Sequence, residues 1–181
     1  FEVSQKGGQV IYYGTSRMPG TPIIKPEEGV KVAEQFLKQH GYKDMGSTYW
    51  SQEAGELVVN FAWEQDGIIY YPDLIKVYVS LDTGSVRGFE SLGYAMCHTN
   101  RDLPESLISE EQAKQAVSCG VKIISHNLAV IPTSGKNEVL CHEFLCEDDS
   151  GGKCLIYINA ETGGEEKILL LLESENGTLT I

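Results

Sequence analysis

Two acidic residues stand in turns where a carboxylate could take part in catalysis. Asp82 lies in "LDTGSVRGFE" (81–90) and Glu161 lies in "AETGGEEKIL" (160–169). Two carboxylates that share one proton can act as general acid and general base, and Asp-Thr/Ser-Gly loops supply such a pair in aspartic proteases. The chemical hypothesis is therefore a hydrolase built on Asp82 and Glu161.

A third copy of the same turn argues against this chemistry. "FEVSQKGGQVIYYG" aligns with "VYVSLDTGSVRGFE" at an offset of 76 residues, which puts Lys6 in the position of Asp82. The three turns have glycine in common, and glycine accepts the positive φ of a tight hairpin turn at no steric cost. We interpret Gly8, Gly84 and Gly163 as structural turn glycines, and we predict no catalytic residue, no cofactor and no metal site.

Cysteine and histidine do not combine into a convincing nucleophilic pair. Cys141 and His142 are neighbours in a predicted strand, so their side chains should point to opposite faces, and Cys97 and His98 fall in a predicted linker. The five cysteines form no C-x-x-C motif, and we expect most of them to be small buried hydrophobic residues. These five are Cys97, Cys119, Cys141, Cys146 and Cys154, with Cys141 and Cys146 expected to bracket a strand.

The acidic run in "CEDDSGGK" could bind calcium only if its oxygen ligands were suitably spaced. Glu147, Asp148 and Asp149 are adjacent, and the spacing of an EF-hand loop is absent. We interpret this segment as the solvated tip of a hairpin.

An internal repeat organises the chain. "KPEEGVKVAEQFLKQHGY" from Lys25 aligns with "ISEEQAKQAVSCGV" from Ile108 at an offset of 83, and "KVYVSLDTG" aligns with "LIYINAETG" at an offset of 79. The alignment predicts four segments. They are the C-terminal hairpin of a truncated preceding unit (1–22), a complete unit (23–95), a linker (96–105) and a second complete unit (106–181).

Each complete unit is predicted to begin with a helix and to continue with antiparallel strands. Pro26 suits a first helical turn and Gly41 a left-handed helix end, whereas Ser109 to Gln112 reads as a capping box and Gly120 as the end of the second helix. Alternating apolar and polar residues over 57–64 and 75–82 predict strands with one buried face and one wet face. The predicted fold class is α+β, with one helix packed on a sheet of about four strands in each unit.

Charge excludes one class of partner. The 181 residues carry 14 Lys and Arg against 26 Asp and Glu, a formal net charge of -12. Nucleic-acid binding depends on Lys and Arg that neutralise phosphates, so we expect no nucleic-acid partner. The longest apolar run, 168–172, is too short to cross a bilayer, and we expect any membrane-anchoring segment to lie upstream of Phe1.

The helix sequences "PEEGVKVAEQFL" and "SEEQAKQAV", followed by "VYVSLDTGSV" and "IYINAETGGE", resemble the PepSY domain family. "YYPDLIKVYVSLDTGSVRGFESLGYAMCH", "LAVIPT" and "YINAETGGEEKILLLLESENGTLTI" are similar to the C-terminal region of the YpeB family of spore germination proteins. This resemblance implies tandem PepSY units and a place in the spore envelope, on the outer side of the inner spore membrane and in the cortex. No catalytic residues come with it.

The resemblance also implies a partner, the cortex-lytic enzyme SleB. The expected function is non-enzymatic: the chain would stabilise, localise and inhibit this SleB-type hydrolase in the dormant spore. The alternative is a peptidoglycan-binding module in which the wet strand faces with Tyr70, Tyr71 and Tyr78 contact glycan or peptide.

Overall fold

The computed structural model describes residues 1–104, 106–117, 120–135 and 137–180. Cys119, expected to be a buried small residue, lies outside these ranges, as do Glu105 and Ile181 at the ends of predicted segments. The chain divides into two compact units. Unit 1 comprises 1–64, 72–98 and 174–178, and unit 2 comprises 65–71, 99–173 and 179–181.

Unit 1 contains a helix, a sheet and a second short helix. Its strand order is β1-β2-β6-β5-β4-β3-β11, in which the consecutive strands β3 to β6 form a meander. The elements are β1 (Glu2–Val3), β2 (Val10–Gly14), α1 (Pro26–Gln39), β3 (Met45–Glu53), β4 (Glu56–Gln65), β5 (Ile68–Ser80), β6 (Ser85–Glu90), α2 (Leu92–Cys97) and β11 (Gly177–Thr180).

Helix α1 begins and ends where local sequence chemistry predicts. Pro26 occupies the first helical position, and the Lys25 backbone N–H donates to the Glu28 carboxylate over 3.0 Å. At the other end Gly41 has φ +85°, which lets the Tyr42 N–H donate back to the Leu37 carbonyl over 3.0 Å. The positive φ is easy only for glycine, so this residue ends the helix.

The core of unit 1 lies between α1 and the sheet. Ala33 and Leu37 of the helix are buried against alternate residues of β4 and β5. Full burial of an aliphatic or aromatic side chain contributes about 1.5–3 kcal/mol, so this layer is the main source of stability. The other buried residues of this core are Leu57, Val59, Phe61, Ile75, Val77, Val79 and Phe89 of the strands and Leu81 just after β5.

Helix α2 extends into the predicted linker 96–105, because Met96 and Cys97 are its last residues. The physical reason is aromatic packing: the ring of His98 stacks on Tyr94 with centroids 4.2 Å apart and meets Trp63 edge-on at 4.7 Å. The polar composition of 95–105 does not predict these aromatic contacts.

The described residues of unit 2 contain one helix and an antiparallel sheet in the order β7-β8-β9-β10. The first residues of β5, Ile68 to Tyr70, pair in parallel with Leu128 to Val130 of β7. The elements are α3 (Glu110–Ala116), β7 (Val121–Pro132), β8 (Glu138–Asp148), β9 (Lys153–Asn159) and β10 (Glu165–Ser174). Cys141 and Cys146 therefore lie inside β8 rather than bracketing a strand.

Helix α3 opens with the predicted capping box and is shorter than expected. The Gln112 N–H donates to the Ser109 hydroxyl, and the Ser109 N–H donates to the Gln112 side-chain oxygen. The helix ends at Ala116 instead of reaching Gly120, because Val117 has the extended angles φ -68° and ψ 130°. A β-branched residue loses side-chain freedom in a helix, which favours this early end.

Ala113 anchors α3 on its sheet. It is buried in a cluster with Phe144 and Cys146 of β8 and with Ile156 and Ile158 of β9. The α+β class predicted from the sequence is confirmed.

Candidate functional site

Asp82 is fully engaged in structural bonds. Its carboxylate accepts from the Arg17 guanidinium, from the Ser80 hydroxyl at 2.7 Å and from the Gly20 backbone N–H at 2.6 Å. The hydrogen bond from Arg17, followed by those from Ser80 and Gly20, holds the pKa of Asp82 well below its usual range. A carboxylate that stays ionised cannot share a proton with a second acid, so Asp82 anchors the segment before α1 instead.

Glu161 lies in a turn of unit 2 whose geometry depends on a neighbour. The side-chain oxygen of Asn159 accepts from the backbone N–H groups of Glu161 and Thr162, both at 2.9 Å, while the Glu161 side chain is exposed. Asp82 belongs to unit 1 and Glu161 to unit 2. Each turn therefore has its own structural explanation, and neither requires acid–base chemistry.

The three turn glycines all have positive φ. The values are +66° for Gly8, +65° for Gly84 and +74° for Gly163. The Ile24 side chain packs close to Gly84: a Cβ built on this glycine would lie 3.5 Å from Ile24 Cδ1.

Cys141 and His142 point to opposite faces of β8. Cys141 lies opposite Asn159 and His142 opposite Ile158, so the thiol and the imidazole cannot form a dyad. Burial raises the pKa of Cys141 to about 12 and that of Cys146 to about 11, which keeps both thiols protonated at neutral pH. The thiols of Cys141, Cys146 and Cys154 are free, and burial also raises the pKa of Cys154.

His98 pairs with a buried carboxylate. Its Nδ1 lies 2.7 Å from Oδ2 of Asp73, a residue of β5 with no exposed surface. With its ring held between Tyr94 and Trp63, His98 fixes the end of α2 against β5. This arrangement gives His98 a structural role, since it positions the end of a helix.

The acidic hairpin "CEDDSGGK" uses its central carboxylate internally. Oδ1 of Asp148 accepts from the Ser150 N–H at 2.8 Å, the Ser150 hydroxyl at 2.6 Å and the Gly152 N–H at 2.8 Å. These bonds lower the pKa of Asp148, that from the Ser150 side chain most. In the part of the chain that the structure describes, no group of three or more His, Cys, Asp or Glu residues could hold a metal ion.

Unit 2 contains a histidine pair that the sequence pattern did not predict. Nε2 of His126 lies 2.8 Å from Nδ1 of His142, and Nε2 of His142 lies 3.1 Å from the Ile108 carbonyl oxygen. Glu110 faces Nδ1 of His126 at 3.3 Å and is paired with Lys114. The chain of contacts ties the start of α3 to β7 and β8, and burial lowers the pKa of His126 against the opposing effect of Glu110.

The three tyrosines considered for glycan binding do not form an exposed aromatic surface. Tyr70 is buried, with the Arg101 guanidinium 5.0 Å from its ring centre. The Tyr71 hydroxyl donates to the buried Glu143 carboxylate at 2.8 Å, and the half-buried Tyr78 donates to Glu90 at 3.2 Å. The expectation of wet tyrosine faces is wrong for Tyr70, because the alternation of β5 changes phase at Pro72 and Asp73, which are both buried.

An apolar cleft of about 530 Å³ lies in unit 1. Its walls are mainly the rings of Tyr13, Phe36, Tyr42 and Phe89, and Gln9 and His40 supply its polar groups. A cleft with so few convergent polar groups fits the docking of an apolar group better than catalysis.

Comparison with known proteins gives the family. A family model described as "YpeB sporulation, PepSY1 and PepSY2 domains" matches residues 1–104. The chain belongs to the YpeB family of sporulation proteins. The resemblance stated from the sequence is confirmed.

Individual YpeB proteins match almost the whole chain. "Sporulation protein YpeB" of Halalkalibacterium halodurans is 32% identical over 176 residues, and that of Bacillus subtilis is 30% identical over 178 residues. Each match covers 96% of this chain and 39% of the relative, so the chain spans about two fifths of the length of these YpeB proteins. A solved structure, "Bacillus megaterium YpeB C-terminal domain", is 34% identical with a TM-score of 0.85, covering 94% of this chain and 76% of that one.

None of the helices in the described part of the chain is both long enough and apolar enough to cross a membrane.

Proposed function

We propose that this chain is a non-enzymatic binding module that stabilises, localises and inhibits a SleB-type cortex-lytic enzyme in the dormant spore. The observation that carries the proposal is the match of residues 1–104 to the YpeB sporulation family. We further propose that 23–95 and 106–181 are tandem PepSY units, each a helix on a sheet of about four strands, and that they work in the spore envelope next to the inner membrane and cortex.

The geometry of the candidate groups favours binding over catalysis. The ionised Asp82 carboxylate is paired with Arg17, and Asp148 accepts hydrogen bonds within its own hairpin. The Cys141 thiol is buried, which raises its pKa. An enzyme needs at least one acid, base or nucleophile poised near the operating pH in a reachable site. A module that restrains another enzyme needs a shaped surface instead.

Charge gives the proposed complex a physical basis. A net charge of -12 would attract a cationic, wall-binding hydrolase and would repel anionic wall polymers. Association steered by charge is screened by salt, with a Debye length of about 8 Å at physiological ionic strength.

A paired pull-down tests this function. The chain is immobilised and offered either the SleB-type hydrolase of the same organism or purified, enzyme-free cortex. We expect retention of the hydrolase and little retention of cortex fragments. Retention of cortex without hydrolase would overturn the proposal in favour of a peptidoglycan-binding module.

The Asp82→Asn variant is the control for a catalytic explanation. Because the Asp82 carboxylate accepts structural hydrogen bonds from Ser80 and Gly20 and no second acid shares a proton with it in this turn, a folded variant should retain the hydrolase as the native chain does. Loss of hydrolase binding in a folded Asp82→Asn protein would show that this turn is part of the binding surface.

A further inference from the structure

Three apolar side chains of β10 form an exposed stripe. Ile168, Leu170 and Leu172 are 44%, 53% and 51% exposed, and as alternate residues of one strand they lie on the same face. We call these three residues the β10 stripe. The residue between the last two, Leu171, is buried on the opposite face.

The stripe lies on the face of the sheet that carries α3. In the β9–β10 register, Ile168 is opposite Ile156 and Leu170 is opposite Cys154. Ile156 and Cys154 both belong to the cluster around Ala113 of α3. Residues directly opposite each other in a sheet share a face, so the stripe continues the helix-bearing face beyond the reach of α3.

In unit 1, the strand position equivalent to Ile168 is covered by the longer helix α1 and the residue that follows it. The repeat offset of 79 aligns Phe89 of β6 with Ile168, and Phe89 is only 3% exposed. Its ring is covered by Phe36 of α1, at 5.6 Å between centroids, and by Tyr42 just after that helix, at 5.5 Å. Helix α1 has 14 residues and α3 has 7. In the repeat, a helical segment is the natural cover for this strand face, and in the described part of unit 2 the three stripe residues remain exposed beside α3.

Charge indicates which kind of helix would fit. Glu165 lies opposite Ile158, which places it on the same face at the start of β10, and its side chain is exposed. Within the described residues Glu165 has no ion-pair partner. A basic residue at one end of an apolar helix face would complement it.

We infer that the β10 stripe, with Glu165 at its end, is the docking site for an amphipathic helix of the partner hydrolase, one that presents an apolar face and a basic residue. This inference rests on the function proposed above and deepens it by naming the surface. The mode is the burial of an apolar helix face against the apolar sheet face beside an existing helix. It uses side chains on a sheet face and requires no free strand edge.

The test measures the affinity of the full chain for the SleB-type hydrolase by calorimetry. Leu170→Gln should weaken binding by roughly tenfold or more, as expected for a central apolar contact. The matched control is Ile124→Gln, since Ile124 is an apolar residue of β7 in the same unit with 45% exposure. Equal losses from both variants, or no loss from Leu170→Gln, would overturn the inference.

A charge variant keeps the test valid if Leu170→Gln perturbs the fold. Glu165→Lys should weaken binding more at low salt than at high salt, because it introduces repulsion at the stripe. Glu53→Lys, an exposed carboxylate of unit 1 on β3, changes the net charge equally and should have a smaller effect. Equal effects of the two charge variants would contradict docking at the stripe.

Two further outcomes separate this inference from the proposed function. If the native chain binds no hydrolase, both are wrong. If it binds and the stripe variants bind equally well, the function stands and the surface is wrong. Sedimentation of the free chain should show a monomer. If it shows a dimer that Leu170→Gln converts to a monomer, the stripe is the contact between two copies of the chain instead.

Discussion

Arg17 and Asp82 join the segment before α1 to the turn after β5 through a guanidinium that donates to both carboxylate oxygens. The Gly20 N–H and the Ser80 hydroxyl add to the same carboxylate. The aspartate of the Asp-Thr-Gly turn is thus a fastening point for residues 65 positions earlier in the chain. Within the described residues, this fastening role belongs to the turn of Asp82 alone, which explains why the other two copies of the turn have a lysine and a glutamate at the same position.

Asp82→Asn should lower the thermal stability at neutral pH. The pKa of Asp82 is depressed in the folded protein, so its contribution is present above the ordinary aspartate pKa of about 4 and is lost as the pH falls below it. The difference in melting temperature between native and variant chains should therefore shrink from pH 7 to pH 3. Asp149→Asn, in the exposed hairpin, is the control and should melt like the native chain. A native-to-variant difference that grows in acid would contradict the assigned role.

His98→Ala should destabilise unit 1. The substitution removes a hydrogen bond to the buried Asp73 and the ring that Tyr94 and Trp63 pack on. The lost hydrogen bond should cost about 0.5–1.5 kcal/mol, and the lost ring packing about as much again. Urea unfolding should show this loss in the free energy of unfolding, with Asn100→Ala, an exposed neighbour, close to the native value. Equal stability of His98→Ala and the native chain would mean that the pair contributes nothing.

Local chemistry made much of the fold predictable. Pro26 and Gly41 mark the ends of α1, the Ser109–Gln112 box marks the start of α3, and the repeated glycines mark the turns. Each of these signals acts within a few residues, so it can be found without knowing the tertiary structure.

Contacts between distant residues could not be predicted in this way. The bonds from Arg17 to Asp82 and from His98 to Asp73 depend on which elements become neighbours in space. The His126–His142 pair depends on the β7–β8 register, which shifts between Ile123 and Ser125. A one-residue shift moves every later side chain of a strand to the opposite face. The phase change in β5 has the same effect, and it explains why Tyr70 is buried although the sequence pattern predicted it to be exposed.

Gly177→Ala should disrupt the pairing of β11 with β3. Gly177 has φ +112° and lies opposite Ser51, and a Cβ there would be 2.2 Å from the Trp50 carbonyl oxygen. Gly7→Ala is the matched control, because Gly7 has φ +87° and open space around it. Both variants incur the left-handed backbone cost of about 1–2 kcal/mol, and Gly177→Ala should lose roughly 1–3 kcal/mol more through overpacking. Urea unfolding of the two variants measures the difference, and equal losses would show that the close approach is unimportant.

His126 should make unit 2 less stable in mild acid. Burial lowers its pKa below the ordinary value, so the folded protein binds fewer protons there than the unfolded chain does. The contribution of His126 to stability therefore falls as the pH drops through about 6.5. His126→Gln should reduce the loss of stability between pH 8 and pH 5.5, measured by urea unfolding at each pH. An unchanged or steeper loss in the variant would contradict this sign.

Restraint of a lytic enzyme is the central claim, and the rate of cortex hydrolysis tests it most directly. Purified cortex is digested by the SleB-type hydrolase while the full chain is added in increasing amounts, and the released muropeptide fragments are measured. The rate should fall with added chain and reach a plateau at saturation. A rate that stays constant, or rises, at chain concentrations that saturate hydrolase binding would contradict the claim.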